Sequence, residues 1–250
     1  MNNLLKTAVT FVALCIWFAP NANAGDWWPP FDPDPEVVFV MVSNADTYTK
    51  KELFVAKQTI IKTLGAETAD RDRRSAKHRR IEIILTTNPV AIAFSGSPAE
   101  LYAAGRDIVE MTRIQPGCND LVRAYANVAH RAKVLQAKRI RIIHIGPFIH
   151  AAMGCSADDK LILPQKLPTD IALPQLLAQE RVKSFTAYMV KAEQERPLWA
   201  LLEASGVDQR RGEDGFELEA YTASTTIDKI GVRDALRKTF DAVPSNGEAE

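Results

Sequence analysis

Cysteine is scarce, neither sign of charge predominates, and long apolar runs are missing after the first two dozen residues. Three cysteines among 250 residues are too few for a disulfide-built scaffold. Equal counts of Lys+Arg and Asp+Glu, 31 each, exclude a protein that coats nucleic acid or anionic membrane through bulk charge. Past the N-terminal segment, no stretch approaches the roughly 18 consecutive apolar residues of a transmembrane helix. The chain carries no Walker A pattern and no dinucleotide glycine pattern. Ser95-Gly96-Ser97-Pro98 does not make the Gly-x-Ser-x-Gly elbow of hydrolases. What remains is ordinary globular composition, 46% hydrophobic and 25% charged, of a length that suits one large domain or two small ones.

The N-terminus has the layout of an export signal. Lys6 supplies the positive region, Thr7 to Phe18 is apolar, and Ala22-Asn23-Ala24 puts small residues at a cleavage point. Cleavage is expected after Ala24, leaving a protein without a stable membrane segment, periplasmic or secreted. Leu14 before Cys15 is too large for a lipoprotein signal. Removing residues 1–24 takes away Lys6 and Cys15, which leaves 30 bases against 31 acids and a net charge of −1. Cys118 and Cys155 then remain, a natural pair in an oxidising compartment or else two separate buried thiols.

Residues 25–35 (GDWWPPFDPDP) form a Pro/Trp-rich leader with no periodic pattern, in which Trp27 and Trp28 are expected to pack on the domain. Residues 244–250 (PSNGEAE) read as a disordered tail. Between them strand and helix patterns alternate. Val37 to Val42 is a run buried on both faces. Thr49 to Leu64 is helical, with Gly65 as its stop. Asp70 to Arg80 is rich in Lys and Arg, either a solvated connection or a docking patch for an acidic partner. Arg80 to Thr87 and Val90 to Ser95 are two strands joined by a turn at Asn88-Pro89. Ala99 to Ile114 holds one helix or two. Asp120 is an N-cap, and its helix runs to about Lys138. Arg139 to Gly146 is a buried strand. Leu173 to Gln179 is helical, and Val182 to Val190 is a strand by its β-branched and aromatic content. Pro197 to Ser205 is a helix with Pro in its first turn. Phe216 to Thr222 is an edge strand, and Ile227 to Val243 a last helix. Strands separated by helices predict a three-layer α/β/α domain over residues 36–243. Its sheet is mostly parallel with one antiparallel edge strand, and ligands belong at the carboxyl ends of the strands.

Order and local phrases together resemble a von Willebrand factor A domain, a Rossmann-like fold. The phrases are VVFVMV followed by a polar loop and KKELFVAKQTIIKTL, then the hairpin RIEIILTTNPVAIAFS. Gly117-Cys118-Asn119-Asp120-Leu121 stands where such domains have Gly-x-Thr-Asp-Leu. His144-Ile145-Gly146 stands at a strand end that usually reads Thr-Asp-Gly, and VKSFTAYMV leads to LWALLEASG. The resemblance implies a divalent-cation site built from Asp-x-Ser-x-Ser, the Thr and the strand-end Asp, with hard oxygen ligands suited to Mg²⁺. Here those positions carry Val42-Ser43-Asn44-Ala45-Asp46, Asn119 and Ile145. Val42 and Ile145 offer no ligand atom, so the standard metal site is expected to be lost and no cofactor is expected. The bland role of Asn44, Asp46 and Asp120 is turn formation and helix capping. The resemblance also puts Cys118 and Cys155 at the same carboxyl edge, which predicts a disulfide between them, worth roughly 4 kcal/mol in the chain-entropy model.

Two other chemistries compete. His144, His150, Cys118 and Cys155 contain the donor types of a zinc site, but His-x5-His-x4-Cys is not a ligand spacing and His144 sits in an apolar strand. Cys118 near a helix N-terminus has the setting of a thiol nucleophile, in competition with the disulfide. His78 and His130 are expected to be exposed. The expectation is therefore an exported, non-enzymatic domain that binds another protein through Ser43, Asn44, Asp46, Asn119 and Asp120. A cell-envelope assembly such as a secretion or conjugation system is a suitable setting. The alternative is a metal-dependent or thiol-based enzyme using Cys118, His144 and His150 at that edge.

Overall fold

The structure, a computed structural model, describes residues 35–69, 71–72, 74–150, 170–212 and 215–240. The expected signal, the leader with Trp27 and Trp28, Cys155 and the tail lie outside the described residues.

Six strands form one sheet: β1 (Glu36–Val42), β2 (Arg79–Leu85), β3 (Ile92–Gly96), β4 (Arg139–Ile145), β5 (Val182–Val190) and β6 (Glu217–Thr222). Their spatial order is β3-β2-β1-β4-β5-β6. All neighbours are parallel except β2 and β3. β1 is central, and Val37 to Val42 are buried throughout. Period-two alternation sends Val37, Phe39 and Met41 to one face and Val38, Val40 and Val42 to the other.

The first face packs on α4 (Leu121–Val134), α5 (Leu173–Leu177) and α6 (Ala192–Ala204), through Tyr125, Val128, Leu176, Leu198 and Leu202. The second packs on α1 (Lys50–Thr68), α2 (Pro98–Ala103) and α3 (Gly105–Met111), through Ile60, Leu64, Leu101 and Ile108. A smaller cluster joins Val55, Ala56 and Met189 to α7 (Ala223–Lys229) and α8 (Arg233–Phe240). The domain is thus α/β/α in three layers, with one antiparallel edge strand.

Four helix boundaries differ from the sequence expectation. α1 continues through Gly65 to Thr68, because Glu67 and Thr68 are buried and Glu67 pairs with Arg141. α6 begins at Ala192, five residues before Pro197, which lies inside the helix. Its start is held by Gln194, whose side-chain amide accepts from Phe148 N at 3.0 Å and donates to Phe148 O at 2.9 Å. The last helix is two, broken at Gly231, where φ is +63°. α4 also stops at Val134, short of Lys138, with Gln136 at φ +49°. His78 is half-buried rather than exposed, while His130 is exposed.

Candidate functional site

The carboxyl ends of β1, β2 and β4 are extended by loops that keep the sheet's hydrogen bonding for one more rung. Ser43 N–H donates to Ile145 O (2.9 Å), Thr86 N–H to Val42 O (3.0 Å) and Asp120 N–H to Thr86 O (2.9 Å). The loop after β1 and the loop before α4 are laced together by Gln115 N–H to Asn44 O (2.9 Å) and Asp46 N–H to Gln115 O (3.0 Å). The sequence-predicted residues Ser43, Asn44, Asp46, Asn119 and Asp120 all belong to these loops.

Four of them face inward. Ser43, Asn44 and Asn119 are fully buried, Asp120 is 8% exposed, and only Asp46 is open to solvent. The Asn44 carboxamide oxygen accepts from Thr87 Oγ1 (2.8 Å) and Thr87 N (3.3 Å). The Asn119 oxygen accepts from Thr86 Oγ1 (2.5 Å) and Ala45 N (3.3 Å). Its amide nitrogen is buried without a hydrogen-bond partner among the described residues. Asp120 caps α4 by accepting from Arg123 N at 3.0 Å, and His150 Nδ1 accepts the next orphan donor, Leu121 N–H, at 3.2 Å. Val42 and Ile145, at two carboxylate positions of the family's metal site, are buried apolar side chains. That donor set does not match an oxygen cage for a hard cation: two positions lack ligand atoms, two amide oxygens already accept two hydrogen bonds each, and one amide presents a donor. No group of three His, Cys, Asp or Glu side chains suited to a metal occurs among the described residues.

Beneath the loops lies a buried histidine. His144 is fully buried, stacked on Phe148 at 4.1 Å between ring centroids. Its Nδ1 lies 3.0 Å from Tyr125 Oη and its Nε2 lies 3.3 Å from Ser43 Oγ, which in turn donates to Pro147 O at 3.1 Å. Ser43 has one proton, and Pro147 O takes it. The network therefore assigns Nε2–H to His144, with Nδ1 accepting from Tyr125. Burial lowers the His144 pKa to about 3, against a smaller raising effect from the Pro147 and Gly146 carbonyls. Gly146 has φ +122°, and a Cβ there would press on the Tyr48 hydroxyl and on Ser43 Cβ (2.6 Å). Only glycine fits where Tyr48 crosses to donate to Ser43 O at 2.7 Å.

Thr86, Thr87, Tyr48 and Tyr125, which complete this network, were not legible as site residues. Threonine after a strand, tyrosine in a loop and tyrosine on a helix face are too common to signal it. Cys118 is half-buried in the loop before α4, and Cys155 is outside the described residues.

The strand order, the single antiparallel edge strand and a polar loop leaving the central strand are the α/β/α arrangement expected from the resemblance to a von Willebrand factor A domain. No protein-family model matches the chain, and no curated protein sequence does either. Solved structures of similar fold include the SpRpn10 VWA domain, at 8% identity and a TM-score of 0.44, covering 78% of this chain and 94% of that one. The human COPII-coat protein Sec24c is similar at 10% identity and a TM-score of 0.45, covering 82% of this chain and 32% of its own. Proximal thread matrix protein 1 from the mussel byssus, with a zinc occupied MIDAS motif, is similar at 8% identity and a TM-score of 0.40, covering 82% and 46%. This chain thus spans less than half the length of the last two chains. Among the described residues, no helix is long and apolar enough to cross a membrane.

Proposed function

We propose that this chain is an exported, non-enzymatic protein-interaction domain of von Willebrand A type. It engages its partner at the carboxyl edge of the sheet without an essential metal. The carrying observation is the fate of the motif oxygens. Asn44 and Asn119 spend their acceptors on Thr86, Thr87 and Ala45, so the loops are held by protein hydrogen bonds at the positions the family gives to a cation. The surface this scaffold presents is exposed Asp46, Asn88, Gln115 and Arg123. Calorimetric titration with Mg²⁺, Ca²⁺ and Mn²⁺ is expected to give no binding in the micromolar range. Micromolar binding that disappears in Asp46→Ala would show a rearranged cation site and sink the metal-independent reading.

The binding role is favoured over catalysis by the state of the candidate base. Both His144 nitrogens are engaged inside the core, and the ring is fully buried. An export signal and a binding fold suit a component of a cell-envelope assembly such as a secretion or conjugation system. In an oxidising compartment we further propose a Cys118–Cys155 disulfide, tying the segment after β4 to the loop before α4. Intact mass after alkylation without reductant is expected to show no label at Cys118 and Cys155. Two labelled thiols in native protein would remove the disulfide from the account.

A further inference from the structure

The opposite, amino-terminal edge of the sheet carries a cluster of exposed cations that pair with no carboxylate among the described residues. In strand register Arg79 of β2, Glu36 of β1 and Arg139 of β4 stand side by side. Inward, four charges close on one another: Arg79 pairs with Glu36 (3.0 Å) and Glu67 (3.7 Å), and Arg141 pairs with Glu67 (2.5 Å) and Glu36 (3.8 Å). The Glu36 and Glu67 carboxylates are thereby taken. Lys77 before β2, and Lys138 and Arg139 at the start of β4, are exposed and have no carboxylate partner among the described residues. Lys133 in the last turn of α4 is exposed too, and by itself it offsets the roughly half negative charge of that helix end. Among the described residues, exposed acids stand beyond the cluster on both sides: Asp72, beside Arg71 in the connection before β2, and Glu180 and Glu217 near the starts of β5 and β6.

We propose that this edge, centred on Lys77, Lys138 and Arg139, is a second docking surface, for an acidic protein segment. The β2 and β4 sides of the cluster are two strand spacings apart, about 10 Å. An extended segment advances about 3.3 Å per residue, so carboxylates three residues apart span the same distance. Among the described residues the exposed cations centred here, Lys77, Lys138 and Arg139, are fewer than the roughly 6–10 phosphate contacts of a strongly salt-dependent nucleic-acid binder. The chain's balanced net charge also gives no long-range pull toward a polyanion or an anionic membrane.

Fluorescence anisotropy of a labelled Asp/Glu-rich peptide on the full chain tests this. Binding is expected, weakening with salt, and about tenfold weaker in Lys138→Glu/Arg139→Glu. Lys50→Glu/Lys51→Glu makes the same change in net charge at the exposed start of α1 and is expected to leave binding intact. A thermal melt of each variant confirms folding, and Lys77→Glu provides an independent second site. Equal weakening by the two double variants would reduce the effect to bulk charge and overturn the proposal. So would absence of peptide binding, or tighter binding of duplex DNA or phosphatidylserine vesicles through the same residues.

Discussion

Arg131→Met is expected to lower stability by about 3 kcal/mol, which for a domain of this size moves the melting midpoint by about 6–12 °C. Glu82 lies in β2 with a fully buried side chain, on the face covered by α4. Arg131 reaches it with two parallel hydrogen bonds of 2.8 Å each, and Arg80 Nε (3.1 Å) and Ser95 Oγ add two more. Burial pushes the Glu82 pKa up, but the hydrogen bonds from Arg131, Ser95 and Arg80 outweigh it and hold the carboxyl below its ordinary range. Removing Arg131 strands most of that charge in the core, since Arg80 is partly solvated. Glu82→Gln added to Arg131→Met removes the stranded charge and is expected to recover part of the loss. Urea denaturation of the two single variants and the double gives the coupling. Full additivity would show that the pair is not what holds α4 to the hairpin.

Mild acid is expected to destabilise the domain through His144. The folded pKa near 3 lies below the ordinary 6.5, so the unfolded chain binds the proton first as pH falls. The stabilising contribution of the neutral ring is complete above pH 6.5 and is lost on the way down toward pH 3. The slope is about 1.4 kcal/mol per pH unit, or about 2 kcal/mol between pH 6.5 and 5. Ordinary carboxylates titrate below this window, so the slope isolates histidine. Denaturation at pH 7 and pH 5 is expected to show it in the unaltered protein and in His130→Gln, and to show it much reduced in His144→Gln. An unchanged slope in His144→Gln would refute the assignment. The same measurement reports on the network, because Tyr125, Ser43 and Pro147 are organised around the uncharged tautomer.

These two residues show why the candidate site was only half legible. The sequence phrases placed Ser43, Asn44, Asn119 and Asp120 in the correct loops, since each follows a strand or precedes a helix whose periodicity is local. Whether they face solvent depends on what sits opposite, and Thr86, Thr87 and Ala45 are supplied by chain distant in sequence. Glu82 did leave a trace, as the one acid inside the apolar run RIEIILTT. Arg131 left none, because a basic residue near the end of a helix has an ordinary explanation in the helix dipole.

The sequence by itself determined the elements and their order. Apolar runs such as VVFVMV and RIIHI can only be strands buried on both faces, and Asp120 can cap a helix from its own side chain. Those are interactions within a few residues, and they follow from covalent geometry and solvent. The tertiary structure decided what the polar residues do: which amide oxygens are used up, which carboxylates are neutralised, and which cations are left over at the amino edge. A hydrogen bond or ion pair counts only when its partner is within about 3–4 Å, and that partner is often 40 to 100 residues away in this chain.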